Sequence, residues 1–191
     1  MIFKIFWIIR GLVYKLFLGK FGLPSYIGKP IYIKNFKKIF IGKKVRIFPN
    51  SRIECIGEDA KIIIHDNVSI GHNLHLTALS TLEISKNCTI SSNVLITDNQ
   101  HSYQEIGDHI MNQKLIIKKT FIGENCFIGT GAVIDAGTIL GKQCVVGANA
   151  VVSGLYSDYC VIVGAPGRIV KRYDANTKEW KKTQVNGVFI S

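Results

Sequence analysis

The sequence predicts a mainly β chain: a parallel β-helix of short strands, preceded by an amphipathic helix and followed by a short C-terminal helix or tail. Three observations carry that prediction. Through residues 122–157 an aliphatic residue returns at every sixth position, and the columns beside it stay small. Shorter runs in the same phase recur upstream, back to Ile41. The first 22 residues lack the period and mix apolar and aromatic residues with Lys4, Arg10, Lys15 and Lys20.

Taken in order, "MIFKIFWIIRGLVYKLFLGKFG" is too often charged for a spanning helix, which needs ~20 mostly apolar residues. It also lacks the small-residue cleavage site of a secretory signal. The expected form is a basic amphipathic helix in a membrane interface, with Phe3, Phe6 and Trp7 at the boundary; the same helix can cover the end of the core. Residues 1–30 are therefore expected as helix and linker. Residues 31–171 follow as the β-helix, with a loop insertion over about 102–119, and 172–191 as the tail.

The ladder reads "IGENCF-IGTGAV-IDAGTI-LGKQCV-VGANAV-VSGLYS". Its first column is Ile122, Ile128, Ile134, Leu140, Val146 and Val152, and its fifth holds Cys126, Ala132, Thr138, Cys144 and Ala150 before the larger Tyr156. Six is wrong for a helix, whose apolar stripe recurs at three and four, and for a hairpin sheet, which alternates by two. A short strand and a turn, three times per coil, make a triangular prism whose coils bury their faces only against one another. Ile84, Ile90 and Ile96 continue the phase upstream, as do Ile64, Ile70 and Leu76, with slips near 57–63 and 82–84. Glycine is expected where a turn needs an unusual dihedral.

Composition narrows the partners less. The formal charge of +11 favours anionic partners without choosing among them, and no basic, aromatic-rich nucleic-acid module is present. Five cysteines without a CxxC read as packing residues in a reducing compartment, not as a zinc or redox pair. Neither GxxxxGK[ST] nor GxGxxG occurs.

Over residues 40–171 this pattern resembles the hexapeptide-repeat acyltransferases, ending in "VGAPGRIVKRY", which is similar to their terminal motif with Gly167 where alanine is usual. The resemblance implies a left-handed parallel β-helix, a homotrimer, and acetyl-CoA as donor, its pantetheine arm running along a prism edge between subunits. It places donor contacts at Gly129, Thr130, Gly147, Ala148 and Ser153, and phosphate contacts at Arg168 and Lys171. Where the family often has Thr-Lys, this chain has Ser153-Gly154.

Within "ISSNVLITDNQHSYQEIG" the ladder breaks at a histidine. An imidazole titrates near pH ~6.5 and suits a general base that takes a proton from a sugar hydroxyl as it attacks. By the resemblance His101 fills that role, with Asn93 at the turn. Asp98, Glu105 and Asp108 are alternatives for the group that orients it. His75, one coil earlier, and Asn99 are expected at the acceptor sugar. A three-histidine zinc enzyme of this fold is excluded by spacing: counted from His65 and His101, the third ligand falls on Ile106. No metal is expected.

The function expected is O-acetylation of a surface-polysaccharide sugar, O-antigen or capsule. The acceptor is expected to be lipid-linked and met in the cytoplasm at the inner face of the membrane. N-acetylation of an amino-sugar nucleotide and a non-catalytic β-helix scaffold are the alternatives.

Overall fold

The computed structural model describes residues 2–184 and 187–190, and in them the ladder winds into a three-faced prism. The chain visits the faces in turn. The first carries seven parallel strands, from Lys20–Phe21 to Leu155–Tyr156, and the third carries six, from Tyr32–Lys34 to Val151–Val152. The second runs in parallel from Tyr26–Ile27 to Cys160–Val163 and then gains two antiparallel strands. Because the pairing repeats in register, like columns stack: Ile41, Ile64, Ile84, Ile122 and Leu140 line the first face from within. Ile47, Ile70, Ile90, Ile128 and Val146 do so on the second. All of them are buried, each contributing ~1.5–3 kcal/mol of apolar transfer.

At the turns glycine supplies unusual dihedrals as expected, Gly131 at φ +72° and Gly137 at φ +91°. Left-handed backbone falls in the fourth column, where Asn67, Asn73, Asn87, Asn93, Asn125 and Asn149 hold φ between +56° and +62°. Asparagine tolerates that region better than other side chains, and here its amides also link successive coils: Asn73 Nδ2 donates to Asn93 Oδ1 at 2.8 Å. The second-column glycines serve another purpose. A Cβ on Gly129 would lie 2.6 Å from the amide nitrogen of Ala148, so glycine is needed there for close approach of the next coil, not for its dihedral.

The fifth column packs as expected, and all five cysteines are buried and free. Register aligns Cys88, Cys126 and Cys144, and each thiol donates to a carbonyl of the following coil, of Gly123, Gly141 and Ser157.

Both ends depart from the predicted boundaries. The helix α1 spans Ile2–Tyr14, and the ladder already begins at Lys20–Phe21, which pairs with Ile39–Ile41 inside the expected linker. Ile27, on a terminal strand, is nevertheless fully buried, because α1 lies across this end. Gly11 sits on the Phe21 ring, and Trp7 packs 5.8 Å from Tyr26 and 5.5 Å from Phe48. Trp7 thus faces the prism instead of the boundary expected for it; the side chain of Phe3 lies outside the described residues. The C-terminal tail is not a helix. Arg168–Asp174 folds back antiparallel on Cys160–Val163 and continues into Glu179–Lys182, capping the open edge of the second face.

Candidate active site

The chain leaves the prism at the edge between third and first faces, after Leu95–Thr97, and re-enters at Phe121–Ile122. Asn99–His101 and Leu115–Ile117 form an antiparallel two-stranded stalk in which His101 stands opposite Leu115. Thr120 Oγ1 donates to the Thr97 carbonyl at 2.8 Å and closes its base. The buried Gln113 braces its tip, donating to the carbonyls of Glu105 and Asp108 at 3.1 Å each. A glutamine in a polar loop carries no sequence signal of that task.

Four of the five histidines are engaged elsewhere. His65 Nε2 meets Glu83 at 2.6 Å, and the His72 ring packs 5.1 Å from Phe48. His75 Nε2 lies 3.4 Å from Glu54, and His109 Nδ1 accepts from the Met111 amide. Among the described residues the His101 ring alone has neither a hydrogen bond nor a ring contact. Its Nδ1 is enclosed without a partner, a state that costs about 1–3 kcal/mol, and the ring is half-buried.

Of the three candidates to orient His101, Asp98 is bound to other partners. Asp98 is fully buried, and its two oxygens accept from Leu79 N, Ser80 N, Ser80 Oγ and Asn99 Nδ2 at 2.7–3.0 Å. Four donors fill the acceptor sites of a carboxylate, so none remains for the imidazole. Asp98 pins the stalk to the preceding coil. Asn93 is an exposed corner residue in the asparagine ladder, where its Oδ1 accepts from Asn73. Glu105 and Asp108 lie at the stalk's tip, bound to Gln113 through their backbone. Asn99, half-buried, spends its Nδ2 on Asp98.

His75 is on the third face, directly beside Leu95 in register and thus one coil before the stalk, as expected. Sequence reading missed its companions. Arg52 is its neighbour in the coil below and holds Glu54 at 2.5 Å. The Arg52 hydrogen bond lowers the Glu54 carboxyl below its ordinary range against the opposing effect of burial, and His75 adds to the lowering. Aligning the coils 20 to 23 residues apart would have brought this trio together.

Of the expected donor contacts, Gly129–Thr130 and Gly147–Ala148 stack in consecutive coils on the edge between second and third faces, with Gly129 N donating to Val146 O at 2.8 Å. At equivalent turns the amides of Lys43, His72 and Lys142 are capped by Asp66, Ser92 and Asp158. The amides of Thr130 and Ala148 have no such cap among the described residues, and both residues are exposed, so two free donors stand one coil apart. That arrangement fits the amides of a pantetheine arm. Ser153 lies on the other edge, the one that carries the stalk. Arg168 and Lys171 are exposed on the returning strand, opposite Val163 and Val161. One chain therefore brings only part of the expected set together. Among the described residues no group of three or more metal-ligating side chains occurs.

Comparison with known proteins decides the family. Residues 119–153 match the sequence model described as the hexapeptide repeat of succinyl-transferase. Over 172 residues the chain is 31% identical to an Escherichia coli protein, WbbJ, named for lipopolysaccharide biosynthesis O-acetyl transfer, covering 80% of this chain and 81% of the relative. The chain belongs to the hexapeptide-repeat acyltransferases. A second relative, an uncharacterized 24.8 kDa protein of a cps region in Klebsiella pneumoniae, is 35% identical over 142 residues, which is 74% of this chain and 61% of that one. The fold of this hexapeptide-repeat acyltransferase is also that of AntD, a Bacillus cereus N-acyltransferase solved with dTDP and 3-hydroxybutyryl-CoA (TM-score 0.75, 20% identity, 88% and 90% coverage). A maltose O-acetyltransferase from Clostridium difficile matches at TM-score 0.59 and 19% identity, with 86% and 75% coverage.

Proposed function

We propose that this chain transfers an acetyl group from acetyl-CoA to a hydroxyl of a surface-polysaccharide sugar, O-antigen or capsule, with His101 as general base. One observation carries the reading: among the described residues, the one histidine ring without a hydrogen bond or ring contact stands on a stalk where the ladder breaks. Membership of the family supports the donor, and the name of the Escherichia coli relative supports the acceptor class.

In this chemistry His101 takes the hydroxyl proton through Nε2, the nitrogen that is not enclosed, while the oxygen attacks the thioester carbonyl. Backbone amides meet the developing oxyanion. Collapse expels the coenzyme A thiolate, which takes the proton from the imidazolium. His75, tethered by Glu54, is available to a sugar hydroxyl one coil below.

The free amides and the base occupy different edges of one prism. The proposal therefore includes a homotrimer in which the edge bearing Thr130 and Ala148 faces the stalk of the next copy. The exposed Tyr103, Ile106 and Met111 on the stalk support such a contact. It also includes a saccharide carried on a lipid, met from the cytoplasm at the inner face of the membrane.

The test is acetyl transfer by the purified chain to glycan from its host, read by mass spectrometry. One added acetyl that mild alkali removes is expected; an alkali-stable acetyl would mean an amide and overturn O-acetylation. His101→Ala should lower turnover by at least ~10²-fold with acetyl-CoA binding intact. Near-normal turnover in that variant would assign the base to another group.

A further inference from the structure

The charge of this molecule is not spread along it. Residues 1–53 hold twelve of the 24 Lys and Arg and neither Asp nor Glu, while all 13 acidic residues share residues 54–191 with the other twelve. The whole excess of +11 therefore belongs to α1 and the coils next to it, which supply the terminal strands of all three faces. The remainder of the prism is close to neutral.

The same end is apolar on its outer surface. α1 uses one face, through Trp7, Arg10 and Gly11, to cover the prism, with Arg10 Nη1 donating to the Ile27 carbonyl at 3.4 Å. Its other face is uncovered. Phe6, Ile9, Leu12, Val13, Leu16 and Phe17 are 46–81% exposed, a contiguous patch of a kind that marks an interaction site when it occurs on a soluble surface. Two hollows of about 440 and 550 Å³ flank the helix. Lys44 and Arg46 stand at the rim of one, Lys37 and Lys38 at the rim of the other, and no acid lines either.

We infer that this end of the prism is a docking face for a bilayer containing anionic phospholipid. An apolar face alone would also fit a second copy of the chain. Charge decides between them: two copies meeting here would oppose two acid-free cationic ends, whereas anionic headgroups supply the missing counter-charge. No helix among the described residues is long and apolar enough to cross a membrane, so α1 lies along the surface with its outer face among the acyl chains. In the proposed trimer all three helices sit at the same end, and their bindings reinforce one another.

Docking sets a height, a consequence that rests on the acyl-transfer reading. Leu95–Thr97 is the fourth strand of the third face from this end, three spacings of ~4.8 Å above Tyr32–Lys34. With ~10 Å for the helix beneath, His101 stands on the order of 25 Å from the headgroups. The hydroxyl acetylated then belongs to a sugar well out along a lipid-linked chain, not to the one joined to the carrier.

The experiment is flotation of the full chain with phosphatidylcholine vesicles, with and without phosphatidylglycerol. Binding to the anionic vesicles, at least tenfold tighter than to neutral ones and weakened by salt, is expected. Leu12→Glu with Leu16→Glu should reduce it at least tenfold while leaving the circular dichroism spectrum and the oligomeric mass unchanged. Equal binding to both vesicles, none to either, or flotation of the double variant like wild type would each overturn the inference. So would a fall in oligomeric mass in the double variant, which would assign the face to a second copy. His101→Ala should float as wild type. A chain that floats yet transfers no acetyl leaves the docking face standing and sinks only the transferase reading.

Discussion

Glu54 and Asp98 are both buried acids on the base's side of the molecule, and they differ in what meets them. Asp98 spends every acceptor site on neighbouring amides and one hydroxyl, so it shapes the stalk and has nothing left to offer an imidazole. Glu54 meets side chains, Arg52 first and then His75, which together lower its carboxyl below the ordinary value of 4.5. A group whose pKa is lower in the folded state stabilises the fold above its unfolded value, and that contribution fades as pH falls through the folded one. Glu54→Gln should therefore cost about 1–3 kcal/mol at neutral pH. The difference from wild type should narrow as pH falls below the ordinary value of 4.5, as read by chemical denaturation across pH. A gap independent of pH would mean that packing, not the ion pair, holds this residue.

Among the elements, the turn of the hexad shows most clearly which residues the architecture demands. A Cβ on Gly123 would run into backbone, the carbonyl of Gly141, whereas one on Gly147 would meet a movable side-chain atom, Val163 Cγ1, at 2.9 Å. Backbone of a stacked coil cannot yield without disturbing its own pairing. Gly123→Ala is expected to destabilise by about 1–3 kcal/mol, and Gly147→Ala by clearly less, in thermal or urea unfolding. Equal losses would show that contact with the backbone of the next coil does not set the cost. The period of six exposed these positions, yet their physical reason is a distance between coils, which no single hexad contains.

For the whole molecule, the separation of the two edges is the decisive geometry. Thr130 and Ala148 present free amides on one edge and His101 rises from another, so on the proposed reading a single prism holds two halves of different sites. In a trimer built as proposed, inactive His101→Ala mixed and refolded with an inactive variant bulky at the other edge, Gly147→Trp, should regain part of its turnover. The mixed assembly contains some interfaces with both edges intact. Light scattering should give about three times the 21.3 kDa chain mass. No recovery from well-formed mixed trimers would place the whole site within one copy.

What the residues alone determined is the repeat: burial of one aliphatic per hexad is a local demand, met at every coil in the same way, and so it is written along the chain. The same holds for the small fifth column and for the interruption at His101. Contacts between coils 20 to 23 residues apart are not written so, because they depend on which residues the winding brings side by side. Only the tertiary structure joined Arg52 and Glu54 to His75, bound Asp98 to Ser80, and turned Trp7 inward beside Phe48. Only the fold, too, gathered twelve scattered cations at one end, since a solenoid converts position along the chain into height along its axis.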